Sequence, residues 1–489
     1  MTTSDHNTAP EAAMTTSDHN TAPEAAMKTG DQVVQELPWK WGVQGKIFII
    51  GGLGYMFDAW DVALNGFLTP LLGSYWDLSQ AERGLVATGN LIGMAVGAVV
   101  WGTIADRVGR KRAFSLTLLI FALFSVLGAF APSFEIFIVL RFLAGFGLGG
   151  CIPVDYALVS EFSPRRIRGK ILSAMDVWWP IGATICGVVA TLLVPIDGDV
   201  RWRYMLLFMV LPALLLFWVR RGIPESPIYL AKVGREAEAR AVIDDMVTRT
   251  GSEAVEYVIV ADTAPKGPGG MKAALTQLKS VWRYSPRITA AAWMLFVSIM
   301  LLYYAALSWM PSILRAEGYG EFAAFAGTTL MTGVGIVGVL TSAFIVEIFG
   351  RKWVIGLSGP IAGSALVMFA VMLDIQSAAL IWLGIFGFVI QLTIPVLYCY
   401  VSELYPTNIR ASGFGYASSV SRVATGFAPL LFGSVMWPIL GLPLTFGIVT
   451  AFVLFAVIWM AYFAPETKGR ELDTLVDEPT EVVAGEARV

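Results

Sequence analysis

Asp58 and Asp61 stand one turn apart near the middle of the apolar run 46–73. A charged side chain at the centre of a bilayer costs about 2.5–3.5 kcal/mol on insertion scales, so a membrane helix keeps two of them only where lipid does not face them. Such carboxylates can take up and release a proton, or hold an ion or a solute. Gly54, Asp58, Asp61 and Asn65 follow the i, i+4, i+7, i+11 spacing of one helical face, and that face is expected to look into a central cavity. Arg141 is the nearest matching cation. Counted from the same end of the membrane, Asp61 and Arg141 differ in depth by only about 5 Å at 1.5 Å rise per residue, so an ion pair between them is feasible. It would either handle a proton or simply position two helices.

Arg422 lies deep in the apolar run 412–437, too deep to reach the interface by extending its stem. A guanidinium offers a planar fork to a carboxylate. Its partner is therefore a substrate carboxylate or an acidic side chain such as Asp58. Trp179 beside Pro180, Tyr303, Tyr304 and Gln391 are candidates for stacking on or hydrogen bonding to a ring-shaped solute, with Asn65 a further polar contact; packing would explain aromatics at these places equally well. Asp155 and Asp176 fall near helix ends flanking the basic stretch Arg165, Arg166, Arg168 and are expected to pair with it.

These residues need helices to hold them. The chain has 489 residues, is 56% hydrophobic and has a mean hydropathy of +0.67, which reads as a multi-pass membrane protein. About twelve runs reach the roughly 20 residues a span needs: 44–72, 83–104, 113–131, 134–159, 170–194, 202–220, 287–309, 323–346, 353–373, 377–400, 412–437 and 441–463. Lys and Arg concentrate in alternate loops, including Arg107, Arg110, Lys111 and Arg112, then Arg165 to Lys170, the segment 220–287, Arg351, Lys352 and Arg410. The positive-inside rule places those loops and both termini in the cytoplasm of a cell-membrane protein. Cys151, Cys186 and Cys399 lie inside apolar runs and show no metal or disulfide spacing. The two histidines, His6 and His19, lie in the N-terminal tail, so a proton relay in the membrane must use carboxylates.

Residues 1–26 are a tandem duplication of MTTSDHNTAPEAA, and 1–39 read as a disordered cytoplasmic tail without signal-peptide character. A longer repeat carries more. Asp106-Arg-Val-Gly-Arg-Lys111 returns as Glu347-Ile-Phe-Gly-Arg-Lys352, 241 residues on; Ser160-Glu161 to Arg168 returns as Ser402-Glu403 to Arg410, offset by 242; and Pro224-Glu225 returns as Pro465-Glu466, offset by 241. One common spacing implies two homologous six-helix halves, 40–220 and 287–464, related by an axis along the membrane normal. The linker 221–286 contains short surface helices, and 465–489 form a second tail.

On these motifs the chain resembles the major facilitator superfamily over residues 40–470. Gly102-Thr-Ile-Ala-Asp-Arg-Val-Gly-Arg-Lys-Arg112 matches that superfamily's signature between the second and third helices, and Arg141-Phe-Leu-Ala-Gly145, Pro224-Glu-Ser-Pro227 and Pro465-Glu-Thr-Lys-Gly469 are similar to its sugar-porter-like branch. Asp58-Ala-Trp-Asp61 is similar to an element of aromatic acid–proton symporters, with Ala59 in place of a glycine. Gly415 to Pro429, with Arg422 inside it, resembles the eleventh helix of those symporters and of nicotinate permeases. Tyr303-Tyr304 stands where sugar porters carry a glutamine pair. The resemblance implies an all-α fold of twelve transmembrane helices in two pseudo-symmetric bundles. It also implies that Asp61 with Arg141 links transport to a proton. Asp106, Arg107 and Arg110 would gate the cytoplasmic side against the end of the eleventh helix, with Glu161, Arg168, Glu347, Arg351, Glu403 and Arg410 as further gating salt-bridge residues.

No nucleophile–base set, P-loop or metal-ligand cluster is visible, and Gly145 to Gly150 sits inside an apolar helix with no strand before it, so helix packing explains it. The reading is therefore not an enzyme, with no cofactor, no metal and no nucleic acid partner. The expected activity is proton-coupled symport of a small organic solute by a monomeric unit in the lipid bilayer, with an aromatic or nicotinate-like monocarboxylate first. A sugar or polyol, an organic cation, or a non-transporting receptor on the same fold are the alternatives.

Overall fold

The computed structural model describes residues 27–259, 271–406 and 409–469. Twelve membrane helices run through them: α1 Lys46–Tyr75, α2 Gln80–Val108, α3 Arg110–Gly128, α4 in two pieces Phe134–Leu148 and Cys151–Phe162, α5 in two pieces Arg168–Met175 and Trp178–Leu192, and α6 in two pieces Gly198–Leu207 and Leu211–Gly222, then α7 Pro286–Ala316, α8 Glu321–Phe349, α9 Arg351–Val371, α10 Gln376–Glu403, α11 Arg410–Leu431 and α12 Trp437–Phe463. Local chemistry sets several of their starts. Ser79 and Glu82 form a reciprocal capping box before α2, and Ser133 and Ser285 cap α4 and α7. Gly109 and Gly350, at φ +99° and +87°, turn the chain from α2 into α3 and from α8 into α9. Any side chain would be strained there.

α1 to α6 form one bundle and α7 to α12 the other. The bundles meet where α1 packs on α7, α2 on α11 and α5 on α8. Large apolar side chains turn outward, among them Leu116, Leu119 and Leu123 of α3 and Phe344 and Ile348 of α8, while Asp58, Asp61, Arg141 and Asp155 are fully enclosed. A lipid solvent demands this inside-out arrangement. The interruptions in α4, α5 and α6 differ from the unbroken spans expected. In α4 the cause is Gly149-Gly150, where the helix stops and restarts.

Glycine sets the closest approaches. A Cβ at Gly145 would collide with the Asn90 carbonyl and one at Gly149 with that of Met94, while Gly93 and Gly97 of α2 receive the carbonyls of Phe142 and Phe146 in return. Gly387 of α10 and Gly338 of α8 repeat the contact in the second bundle. The packing reading of Gly145 to Gly150 therefore holds. Gly145→Val is expected to force α2 and α4 apart and cost more than 3 kcal/mol, as overpacking against rigid backbone exceeds the usual 1–3 kcal/mol. Loss of the monodisperse peak in detergent gel filtration measures it.

The N-terminal segment departs from expectation. Residues 1–26 lie outside the described residues, but 27–39 are ordered. Lys28–Thr29 pairs in parallel with Tyr257–Val258, and a helix Gly30–Glu36 follows, capped by Thr29 and Gln32. Val33, Val34 and Leu37 are buried. That apolar stripe, diluted in a polar tail, gives the helix a face to bury against linker helix Glu236–Thr250, where Ile243 sits close to Gly30. The linker's other helices are Pro227–Lys232 and Met271–Tyr284.

Candidate functional site

Asp61 and Arg141 meet inside the first bundle. Arg141 donates through Nη1 to Asp61 Oδ1 at 2.8 Å and through Nη2 to Oδ2 at 2.9 Å, with both side chains at 0% exposure. Its Nη2 also reaches Asn65 Oδ1 at 2.9 Å. Asn90 of α2 donates to Asp61 Oδ2 at 2.9 Å and accepts from Asn65 at 3.0 Å. The depth match expected for Asp61 and Arg141 is thus realised as a forked, fully dry pair. Its direction is not the one expected. The stripe Gly54, Asp58, Asp61, Asn65 looks into the interior of its own bundle, toward α2 and α4, instead of into the central cavity. Asn65 is consequently a partner of the ion pair and not a surface open to solute.

Asp58 sits one turn toward the basic-loop side, and Asp155 of α4 lies beside it, its Oδ2 2.7 Å from where a Gly54 Cβ would be. Both are fully buried, and none of their four oxygens accepts a hydrogen bond among the described residues. Two bare charges side by side in a dry site would be strongly unfavourable. Asp155 therefore does not pair with the basic loop as expected. Nor does Asp176, whose Oδ1 accepts from Tyr156 Oη at 2.7 Å.

Between the bundles lies a cavity of about 690 Å³. Gly169, Ser173, Ser402, Glu403 and Arg410 line one end of it, so it opens on the side of the basic loops. Deeper, the first bundle contributes Tyr55, Tyr156, Asp176 and Trp179, and the second contributes Tyr303, Tyr304, Gln391, Tyr398 and Arg422. Trp179 Nε1 donates to Tyr303 Oη at 2.9 Å across the bundle boundary. Tyr55 lies 5.4 Å from Trp179, and Tyr398 stacks on Phe296 at 5.4 Å and 15°. The guanidinium of Arg422 makes no hydrogen bond or ion pair among the described residues. It is half-buried in the cavity wall, within electrostatic but not hydrogen-bonding reach of Asp58. The expected cavity residues Trp179, Tyr303, Tyr304, Gln391 and Arg422 are thus brought together; Asn65 is not.

The opposite end is shut. Phe67 meets Phe325, Thr184 meets Thr332 at 3.2 Å, and the amide of Leu430 donates to Thr88 at 3.2 Å. Arg201, 3% exposed, bridges the bundles to Glu321 at 2.9 Å, and Arg315 approaches the same carboxylate at 3.4 Å. The composition of these loops gave no sign of this latch, because each partner stands alone in its own loop. Glu321→Gln leaves Arg201 buried without its counter-charge. Discounted for the partial exposure of Glu321, the loss is about 1–2 kcal/mol, or roughly tenfold in the ratio of the two open states. A cysteine at Thr329, packed against Gly187 in this state, is then expected to label faster with a membrane-impermeant thiol reagent.

On the basic-loop side each bundle carries the same cluster. Arg110 Nε pairs with Glu161 at 3.2 Å, and the Lys111 amide donates to Glu225 at 3.1 Å. In the second bundle Arg351 pairs with Glu403 at 3.0 Å and Glu347 at 3.2 Å, and the amides of Arg351 and Lys352 donate to Glu466 at 3.0 Å. Arg168 and Arg410 donate to the Ser163 and Tyr405 carbonyls, and the Arg107 carbonyl accepts from Tyr229. The side chain of Asp106 lies outside the described residues. The gate expected of Asp106, Arg107 and Arg110 against the end of α11 involves that side chain and residues 407–408, which also lie outside the described residues; the contacts seen here run within one half of the chain and to the linker. Glu225 and Glu466 were visible only as a repeat landmark, and Asn90 only as one amide in an apolar helix.

The model of the sugar (and other) transporter family matches residues 19–477. The niacin transporter NiaP of Acinetobacter baylyi is 33% identical over 87% of this chain and 94% of its own length. A benzoate transport protein of the same organism is 26% identical over 85% of this chain and 90% of its own. Among solved structures, the xylose transporter XylE from E. coli in a partially occluded inward-open conformation superposes with a TM-score of 0.72 at 18% identity, over 88% of this chain and 99% of that one.

Proposed function

From the premise that this chain belongs to the sugar (and other) transporter family of the major facilitator superfamily, we propose that it is a proton-coupled symporter. Its substrate is a small aromatic monocarboxylate of the nicotinate kind, moved by alternating access. The observation that carries the substrate class is Arg422, an unpaired guanidinium in an aromatic-walled cavity. A cation in such a wall is poorly solvated and unmatched until an anion arrives. Flat rings suit the aromatic walls, and the cavity exceeds a single ring in size, leaving room for the bundles to close on it. The niacin and benzoate transport named for two relatives agrees with this chemistry.

Asp61 with Arg141 serves as the coupling pair. A proton on Asp61 removes the charge that holds Arg141, so protonation loosens α1 from α4, and deprotonation on the other side of the membrane restores the fork. Because Asp61 is sealed from the cavity here, the proton's exchange belongs to another state of the cycle. Asp58 and Asp155 form a second place where a proton can reside. We place the protein in the cell membrane with the basic loops, linker and both tails in the cytoplasm, which makes this conformation inward-open. A single chain holds both bundles and therefore the complete pathway.

The test is uptake of labelled nicotinate by proteoliposomes. Accumulation above the outside concentration is expected when the exterior is acidic, with collapse on adding an uncoupler. Uptake that ignores the proton gradient defeats the symport reading.

A further inference from the structure

We propose that Asp176, held by Tyr156, binds a proton-bearing polar group on the substrate's ring. The protein would then select aromatic acids carrying a pyridinium N–H or a phenolic O–H over an unsubstituted aromatic acid. This rests on the reading of Arg422 as the carboxylate anchor.

Asp176 is nine-tenths buried and lines the cavity. Its Oδ1 accepts from Tyr156 Oη at 2.7 Å, whereas Oδ2 accepts no hydrogen bond among the described residues and is not sealed from the cavity. Its position is set by the interruption of α5: the helix ends at Met175 and resumes at Trp178, which leaves Asp176 at a corner of the cavity wall. That oxygen faces the cavity with its lone pairs free. A ligand's N–H or O–H would complete it.

The groups facing Asp176 come from every helix around it. Tyr156 belongs to α4, Tyr55 to α1 and Tyr398 to α10. Tyr55 and Tyr398 line the same cavity as Asp176 and Arg422 and lie within electrostatic reach of both. Asp176 lies eight residues into α5 from its start at Arg168, and Arg422 twelve residues into α11 from Arg410. At 1.5 Å rise per residue their depths differ by about 6 Å, comparable to the reach of an aromatic acid from its carboxylate to a substituent across the ring. The cation belongs to one bundle and the carboxylate to the other. A substrate that satisfies both ties the bundles together, which an acid lacking the ring donor cannot do.

The experiment compares nicotinate, 3-hydroxybenzoate and benzoate by calorimetric titration of the purified full-length protein and of Asp176→Ala, in mildly acidic buffer where part of the nicotinate carries a proton on its ring nitrogen. At least one of the first two is expected to bind about tenfold tighter than benzoate to the wild type, as one charge-assisted hydrogen bond supplies, and that ratio is expected to fall to about one in the variant. An advantage for nicotinate alone assigns the pyridinium, and one for 3-hydroxybenzoate alone assigns the phenol; either supports the inference. Equal binding of all three to the wild type overturns it and leaves the Arg422 anchor standing. Binding of none of the three defeats the anchor reading itself. Where Asp176→Ala does not fold, the isosteric Asp176→Asn is titrated instead, and an undiminished advantage there overturns the inference.

Discussion

Asp61→Asn is expected to abolish uphill transport while sparing exchange. The amide has the shape of the carboxylic acid and no charge, so it imitates the protonated state permanently. In the structure Asp61 takes both Nη atoms of Arg141 at 2.8 and 2.9 Å, and Asn90 as well. An Asn at 61 keeps one oxygen for these donors but leaves the guanidinium without a counter-charge. Breaking a buried pair from one side typically costs about 3–5 kcal/mol, although Asn65 continues to hold Nη2. Gradient-driven accumulation should vanish, because no proton leaves or enters. Counterflow, in which labelled solute exchanges for unlabelled with no gradient, needs only the neutral carrier and should persist at a rate within about tenfold of the wild type. Arg141→Ala is the converse case: it strands Asp61 in a dry bundle and is expected to reduce folded yield as well as coupling. Accumulation that survives Asp61→Asn in a proton gradient removes Asp61 from the coupling role.

Much of this site was legible in the chain, and the illegible part has a definite cause. The cost of charge in lipid singled out Asp58, Asp61, Arg141 and Arg422, and the rise per residue set Asp61 level with Arg141. The same cost says only that a polar face avoids lipid. It does not distinguish a wet cavity from the dry interior of a bundle, and α1 borders both. The choice depends on partners from other helices, Asn90 of α2 and Arg141 of α4 for Asp61 and Asp155 of α4 for Asp58, and the pattern within α1 names none of them. Repetition was the stronger signal for the loops. Arg110, Glu161 and Glu225 recur as Arg351, Glu403 and Glu466 at nearly one offset, and each triplet closes into one cluster. Pairings without such a repeat, Arg201 with Glu321 and Tyr156 with Asp176, became visible only through the fold.

Arg422→Ala is expected to erase the preference for an acid over its amide. Nicotinate and nicotinamide share a ring and differ in one charge, so their ratio isolates what the guanidinium contributes. Arg422 is half-buried, lines the cavity and makes no ion pair among the described residues. Asp58, an embedded carboxylate within its electrostatic reach, is fully buried in the first bundle. A carboxylate arriving from solution is therefore not competing with a side chain already bound. Charge-assisted bonds of this sort are worth about 1.5–3 kcal/mol, so the wild type should favour nicotinate by roughly tenfold or more. Arg422→Lys keeps the charge but loses the planar fork and should fall between the wild type and Arg422→Ala. The aromatic walls, Tyr55, Trp179 and Tyr304 among them, remain in every variant, so nicotinamide affinity serves as the internal reference for an intact cavity. Competition binding of the two ligands measures the ratio directly. A wild type that binds acid and amide equally, or prefers a neutral polyol to both, overturns the anchor, and the unpaired Arg422 would then need a partner from another state of the cycle.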